Sequence, residues 1–187
     1  MLLLDNKIKF YINTVKHLKP SQIYFRLFNR LKREMYKRKL ITIKTPNEFK
    51  VDNNIEILIP ELDFNENYLN RFDVKDILID RFTFINITKK VELSKAWNNV
   101  ELQHLWRYNL HYFEYLYRLA YEYLNDNNKS RHYNKFKYLI DNWIDNNPFA
   151  YGDGWHPYTI SLRMSNWISV YHVFRKRIIL DYDFDRK

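Results

Sequence analysis

In the stretch SQIYFRLFNRLKREMYKRK, Ile23, Leu27, Leu31 and Met35 recur every four residues. Tyr24 and Phe28 lie beside them, and Arg26, Arg30, Arg33 and Lys37 take another face. That period predicts an amphipathic helix with a basic side over residues 21–39. Pro20 or Ser21 opens it, since proline suits a first helical turn and serine can cap one. After IKTPNEF the pattern weakens, and EILIP and DILIDRFTFINITKKVEL, β-branched and aromatic, predict short strands. From Trp97 the helical period returns. HLWRYNLHYFEYLYRLAYEYL sets Leu110, Phe113, Leu116 and Ala120 on one stripe, with Trp106 a turn earlier. NDNNKS breaks that pattern, and RHYNKFKYLIDNWID follows with Phe136, Leu139, Ile140, Trp143 and Ile144 at helical spacing. YTISLRMSNWISVYHVF then carries Ile160, Met164, Trp167, Ile168 and Tyr171. Helices joined in this way predict antiparallel hairpins stacked side by side.

The expected organisation is a mainly α chain. Residues 1–95 supply the basic helix and short strands, and residues 96–187 the helical hairpins. The last segment, RKRIILDYDFDRK, carries no clear stop signal, so the chain is expected to end within the helical architecture.

Composition narrows the function classes. Apolar residues make up 46% of 187 positions and aromatic rings 18%, which excludes a disordered chain. The net charge of +9 is not spread evenly: residues 1–50 hold 13 Lys/Arg against Asp5, Glu34 and Glu48, and the rest is close to neutral. A surface adapted throughout to nucleic acid would distribute its charge over a face or groove, so no nucleic-acid partner is expected. There is no cysteine, hence no disulfide and no thiolate metal site. No apolar run approaches a membrane span, and MLLLD lacks the basic start and apolar length of a signal peptide. On that reading no export signal is present, and a cytoplasmic location is expected if Met1 is the authentic start. Phosphate-cradling glycine loops and the hydrolase elbow are absent, because two glycines cannot build them.

Those two glycines, Gly152 and Gly154, flank Asp153 just before Trp155. Glycine serves where the backbone takes positive φ or approaches another group closely, which makes the loop a candidate site. Asp153, Trp155, His156 and Tyr158 gather there, followed on the next helix by Arg163 and Asn166. Sugars are bound by this mixture of flat rings for C–H faces with donors and acceptors for hydroxyls and carboxylates. With equal weight, the glycines would only shape a turn between helices while Trp155 and Trp167 fill the core. Arg107, Asn109, His111 and Glu114 form a second cluster, a pattern that more often marks a solvated helix face. His104 and His111 are seven apart, too far for a helical metal pair, so no metal or cofactor is expected.

LWRYNLHYFEYL, LIDNWIDNNP, GDGWHPYTISLRMSNWI and the early LKPSQIYFRL together resemble, in order, the N-terminal region of the heparinase II/III-like polysaccharide lyases. The resemblance is strongest from Trp97 to Ile168. It implies an incomplete α/α toroid, with the β-sandwich of the family lying outside this chain. It further implies β-elimination on a uronate-containing acidic polysaccharide, and for many members a periplasmic location. That chemistry needs a group that neutralises the uronate carboxylate, a base for the C5 proton and an acid for the leaving oxygen. In the family an Asn or similar group, a Tyr and a His take these tasks at positions beyond this chain, so binding with weak or no catalysis is implied. Arg163, Asn166, Tyr158, His156 and Trp155, with Asn109 and His111, are the implied sugar-lining residues. For the basic helix itself the favoured reading is packing of its aromatic-rich apolar face on a helical body with the basic side solvated. The rival expectation is a non-catalytic helical module in which that helix docks on a membrane or another polyanion.

Overall fold

The computed structural model describes residues 16–38, 40–41 and 62–185. The chain divides into two compact units, Met1–Asn47 and Glu48–Lys187. In the first, helix α1 spans Pro20–Lys37. Pro20 occupies its first turn, where a missing N–H is harmless, and Gln22 Oε1 accepts the Lys19 N–H at 3.0 Å. The last residue of the expected basic helix, position 39, and the expected strand EILIP lie outside the described residues.

The second unit begins with short helices α2 (Glu66–Leu69) and α3 (Val74–Leu78). Part of the stretch expected as strand is therefore helix: Asp73 caps Lys75 N at 2.8 Å, starting a turn that buries Ile77. The strands follow as an antiparallel hairpin, β1 (Arg81–Phe84) and β2 (Ile87–Lys90), with Phe84 opposite Ile87. Ile85 and Asn86 both have positive φ, 48° and 62°, the two-residue turn whose twist matches a hairpin. Phe82 and Phe84 point into the core against Tyr115 and Trp106, and Trp106 Nε1 donates to Ile87 O at 2.9 Å. Hairpin and helices share one core within the second unit.

Helices α4 (Leu93–Ala96), α5 (His104–Tyr112), α6 (Leu116–Asn125), α7 (Lys129–Asn146) and α8 (Pro157–Ile179) complete the frame, followed by α9 (Tyr182–Asp185). The unit is mainly α with a short β element. Helices α6 and α7 pack as a hairpin joined by residues 126–128, and α8 packs on α5 and α6. After α8, Phe184 folds back on Tyr133 and Phe136, and Asp181 takes the Tyr133 hydroxyl and Lys137 Nζ.

Two departures from the sequence pattern shape the site. The single helix expected over residues 104–124 is broken at Phe113, which has φ 61° and ψ 23°. The stripe of Trp106, Leu110, Phe113, Leu116 and Ala120 is nevertheless fully buried. Breaking a helix exposes carbonyls that need donors. Tyr112 O receives Asn166 Nδ2 at 2.7 Å, and Leu110 O receives the Tyr115 hydroxyl at 3.1 Å. The second departure is the rotation of α8. It buries Thr159, Arg163, Asn166, Val170, Phe174 and Ile178, while Met164 and Ile168 from the expected apolar stripe are exposed. The inward face carries polar side chains because the broken helix and the glycine loop supply carbonyls for them to satisfy.

Candidate functional site

The glycine loop is a 3-10 turn, Asp153–Trp155, running into α8 through His156, whose Nδ1 accepts the Tyr158 N–H at 3.3 Å. Gly152 has φ +80°, and a Cβ there would lie 1.8 Å from Asn98 Oδ1. That amide cannot easily swing away, since it accepts from Asp153 N and donates to Asn147 Oδ1. A Cβ on Gly154 would lie 2.9 Å from two atoms of the His111 ring and 3.0 Å from Trp143 Cζ2. Both glycines are needed for close approach, and Gly152 also for its backbone angle. Gly154→Ala is expected to lower stability by about 1–3 kcal/mol, the ordinary cost of overpacking. Gly152→Ala should lose at least as much, because the left-handed angle adds about 1 kcal/mol. Urea midpoints measure both, and unchanged midpoints would mean the loop has slack the packing does not suggest.

Beneath the loop lie the buried polar groups. His111 accepts from Trp143 Nε1 at Nδ1 (3.0 Å) and meets Trp97 O at Nε2 (2.8 Å). An indole N–H can only donate, so the imidazole is neutral with its proton on Nε2. Burial pushes its pKa down to about 4. Arg163 is 2% exposed, with its guanidinium carbon 3.8 Å from the Trp143 ring centre, 5.5 Å from Trp167 and 5.8 Å from Trp155. One nitrogen donates to Gly154 O at 2.6 Å, and burial pushes the pKa down to about 10. Among the described residues no carboxylate pairs with it. Three aromatic faces and a carbonyl take the place of a counter-ion.

These positions show where the seven expected sugar-lining residues lie. His111, Arg163 and Asn166 are interior groups bonded to the fold itself. Asn109 is partly exposed, but its amide returns to Leu105 O at 2.8 Å. Trp155 is partly buried, packed between Phe149 and Trp143, with its N–H on Asn147 O. Only His156 and Tyr158 are exposed. The second cluster is dispersed: Arg107 turns to Asp153, His111 lies inside, and Glu114 pairs with Arg71 at 3.2 Å.

The two exposed residues instead join rings from α5 that the motifs did not single out. His104, Tyr108 and Tyr112 stand four residues apart, with ring centres 4.3 Å and 6.5 Å from one to the next. Across from them, His156 lies 5.4 Å from Tyr108 and Tyr158 lies 5.7 Å from Tyr112. The four-residue spacing of those α5 rings was the signal available in the sequence. Burial raises the Tyr112 phenol to about 12, and burial followed by the Asp153 charge raises Tyr108, so both stay protonated donors at neutral pH.

Behind the row, Asp153 Oδ2 accepts Arg107 Nε at 2.8 Å and lies 2.7 Å from a second guanidinium nitrogen. The third Arg107 nitrogen donates to Asn99 O and Leu102 O, both at 2.7 Å. Asp153 Oδ1 lies 3.6 Å from His104 Nε2. This clamp fixes the segment before α5, α5 itself and the glycine loop to one another. Asn99 and Leu102 also line a cavity of about 440 Å³ with Lys89, Lys90, Lys95 and Glu92, so the clamp links the ring row to a lysine-rich hollow. Another cavity, about 450 Å³, lies at Phe64, Tyr68, Arg71 and Tyr117. Among the described residues no group of three or more His, Asp or Glu is placed to hold a metal ion. Compared with known proteins, the chain matches no family model, no curated protein and no solved structure.

Proposed function

We propose that this chain is the N-terminal, toroid-type region of a polysaccharide lyase, and that it holds a uronate-containing acidic polysaccharide along the row of His104, Tyr108, His156 and Tyr158. The observation that carries the reading is this row of rings from two elements, braced from behind by the Arg107–Asp153 clamp. Rings offer faces to sugar C–H groups, while phenol and imidazole tips reach hydroxyls and carboxylates. The lysine-rich hollow beyond the clamp supplies positive charge for an acidic chain. The resemblance of four ordered motifs to the lyases supports the substrate class in this reading. Arg163, one of the sugar-lining residues the resemblance implies, serves in this reading as the support on which the loop rests.

Oligosaccharides of glucuronate- and iduronate-containing polymers, titrated calorimetrically into the full chain, test the proposal. Tyr158→Ala and His156→Ala should each weaken binding by about three- to tenfold, the effect of losing roughly 1 kcal/mol of ring contact. Binding without appearance of unsaturated uronate is expected of the 187-residue chain. Affinity that ignores both substitutions would remove the row from the site.

A further inference from the structure

Helix α1 displays a large apolar surface that the lyase reading does not use. Leu31 is 65% exposed and Tyr24 61%, and Phe25, Leu27, Phe28 and Met35 are exposed with them. Tyr24 and Phe28 stack with ring centres 6.0 Å apart, and Phe25 meets Tyr24 edge-on at 5.4 Å. At about 100° per residue, Ile23, Leu27, Leu31, Tyr24, Met35 and Phe28 fall within an arc of roughly 140°. Arg30, Arg26 and Arg33 follow in order beyond one border of that arc, and Lys32 lies beyond the other. The only acid on the helix, Glu34, falls just inside that arc, near the border that Arg30 and Arg26 adjoin.

We infer that α1 lies on an anionic lipid surface, with its apolar arc among the acyl chains and its arginines at the headgroups. Charge complementarity selects this occupant. A second copy of the helix would cover the apolar arc but bring two arginine rows together. An acidic glycan would match the arginines but is too polar to cover six large apolar side chains. A lipid leaflet with anionic headgroups satisfies both faces. Among the described residues no helix is long and apolar enough to cross a membrane, so the helix would lie in the interface plane.

The test is co-sedimentation of the full chain with vesicles of phosphatidylglycerol and phosphatidylcholine in equal parts, against phosphatidylcholine alone. The mixed vesicles should bind more tightly by on the order of a hundredfold, as three surface arginines near anionic lipid imply. Arg26→Gln/Arg30→Gln/Arg33→Gln should bring binding to the phosphatidylcholine level, and Leu27→Glu/Leu31→Glu should abolish it. Both variants change exposed side chains, and a wild-type circular dichroism spectrum checks that they fold. Unaltered vesicle binding by the Leu27→Glu/Leu31→Glu variant overturns the inference. So does self-association through these leucines with no vesicle binding. Glycan binding that depends on Tyr158 is a separate readout and stands or falls independently.

Discussion

Arg163→Ala is expected to cost the second unit about 3–5 kcal/mol, enough to leave a domain of ordinary stability largely unfolded under mild denaturant. The substitution empties the space between Trp143, Trp155 and Trp167 and removes the donor to Gly154 O. Arg163→Met separates packing from charge. Methionine fills much of the same volume and stacks well on indole, so what is lost is the cation's attraction to the rings and the hydrogen bond to Gly154 O, together about 1–3 kcal/mol. Burial works against the cation, as its lowered pKa shows, and its Nε has no partner among the described residues. Replacing a buried charge by an apolar side chain of similar shape is often neutral for this reason. Equilibrium unfolding of the two variants gives the comparison. Methionine as damaging as alanine would mean the charge itself is indispensable, pointing to an anion held at this position.

The second large effect is acid sensitivity through His111. In the unfolded chain its imidazole takes a proton near 6.5, and in the folded chain only near 4. Between these values the unfolded state holds more protons, so acidification favours unfolding. Stability is unaffected by this group above 6.5 and falls progressively as pH drops, and the loss amounts to about 3 kcal/mol at the lower value. The lowered carboxyls of Asp126 and Asp181, held by His132 and Lys137, lose their contribution below their unfolded value of 3.8, under the histidine window. His111→Gln checks the assignment, because glutamine can donate to Trp97 O and accept from Trp143 without titrating. Its urea midpoint should stay level between pH 6.5 and 4 while that of the wild type falls. Parallel curves would assign the acid sensitivity to other groups.

How much of this was legible depended on whether a residue's neighbours in sequence or in space decide its conformation. Helices α1 and α7 follow from period and end signals, α8 from its period although no stop signal marks its end, and the core stripe from Trp106 to Ala120 was readable although its helix is not continuous. The break at Phe113 was not readable. Its local pattern suits a helix, and the donors that satisfy the freed carbonyls come from Tyr115 and from Asn166, 54 positions away from Tyr112. The same distant demand turned α8, so that Arg163 and Asn166 face inward where polarity alone suggested a ligand. Residues 76–78 read as the start of a strand by composition, and Asp73 overrides that by capping the helix Val74–Leu78. The glycines marked the right loop, and the loop's side chains divided between scaffold and surface according to contacts no local window contains.

All five tryptophans, Trp97, Trp106, Trp143, Trp155 and Trp167, belong to the second unit. Intrinsic emission excited at the indole band therefore originates in that unit. A fluorescence melt records only the part that contains the cation surrounded by indoles, and a spectral change on adding a ligand locates that ligand's effect there. Events on the basic helix need a label of their own, and an indole introduced at Phe28 would supply a signal from that helix, to be read against the signal the other five already give.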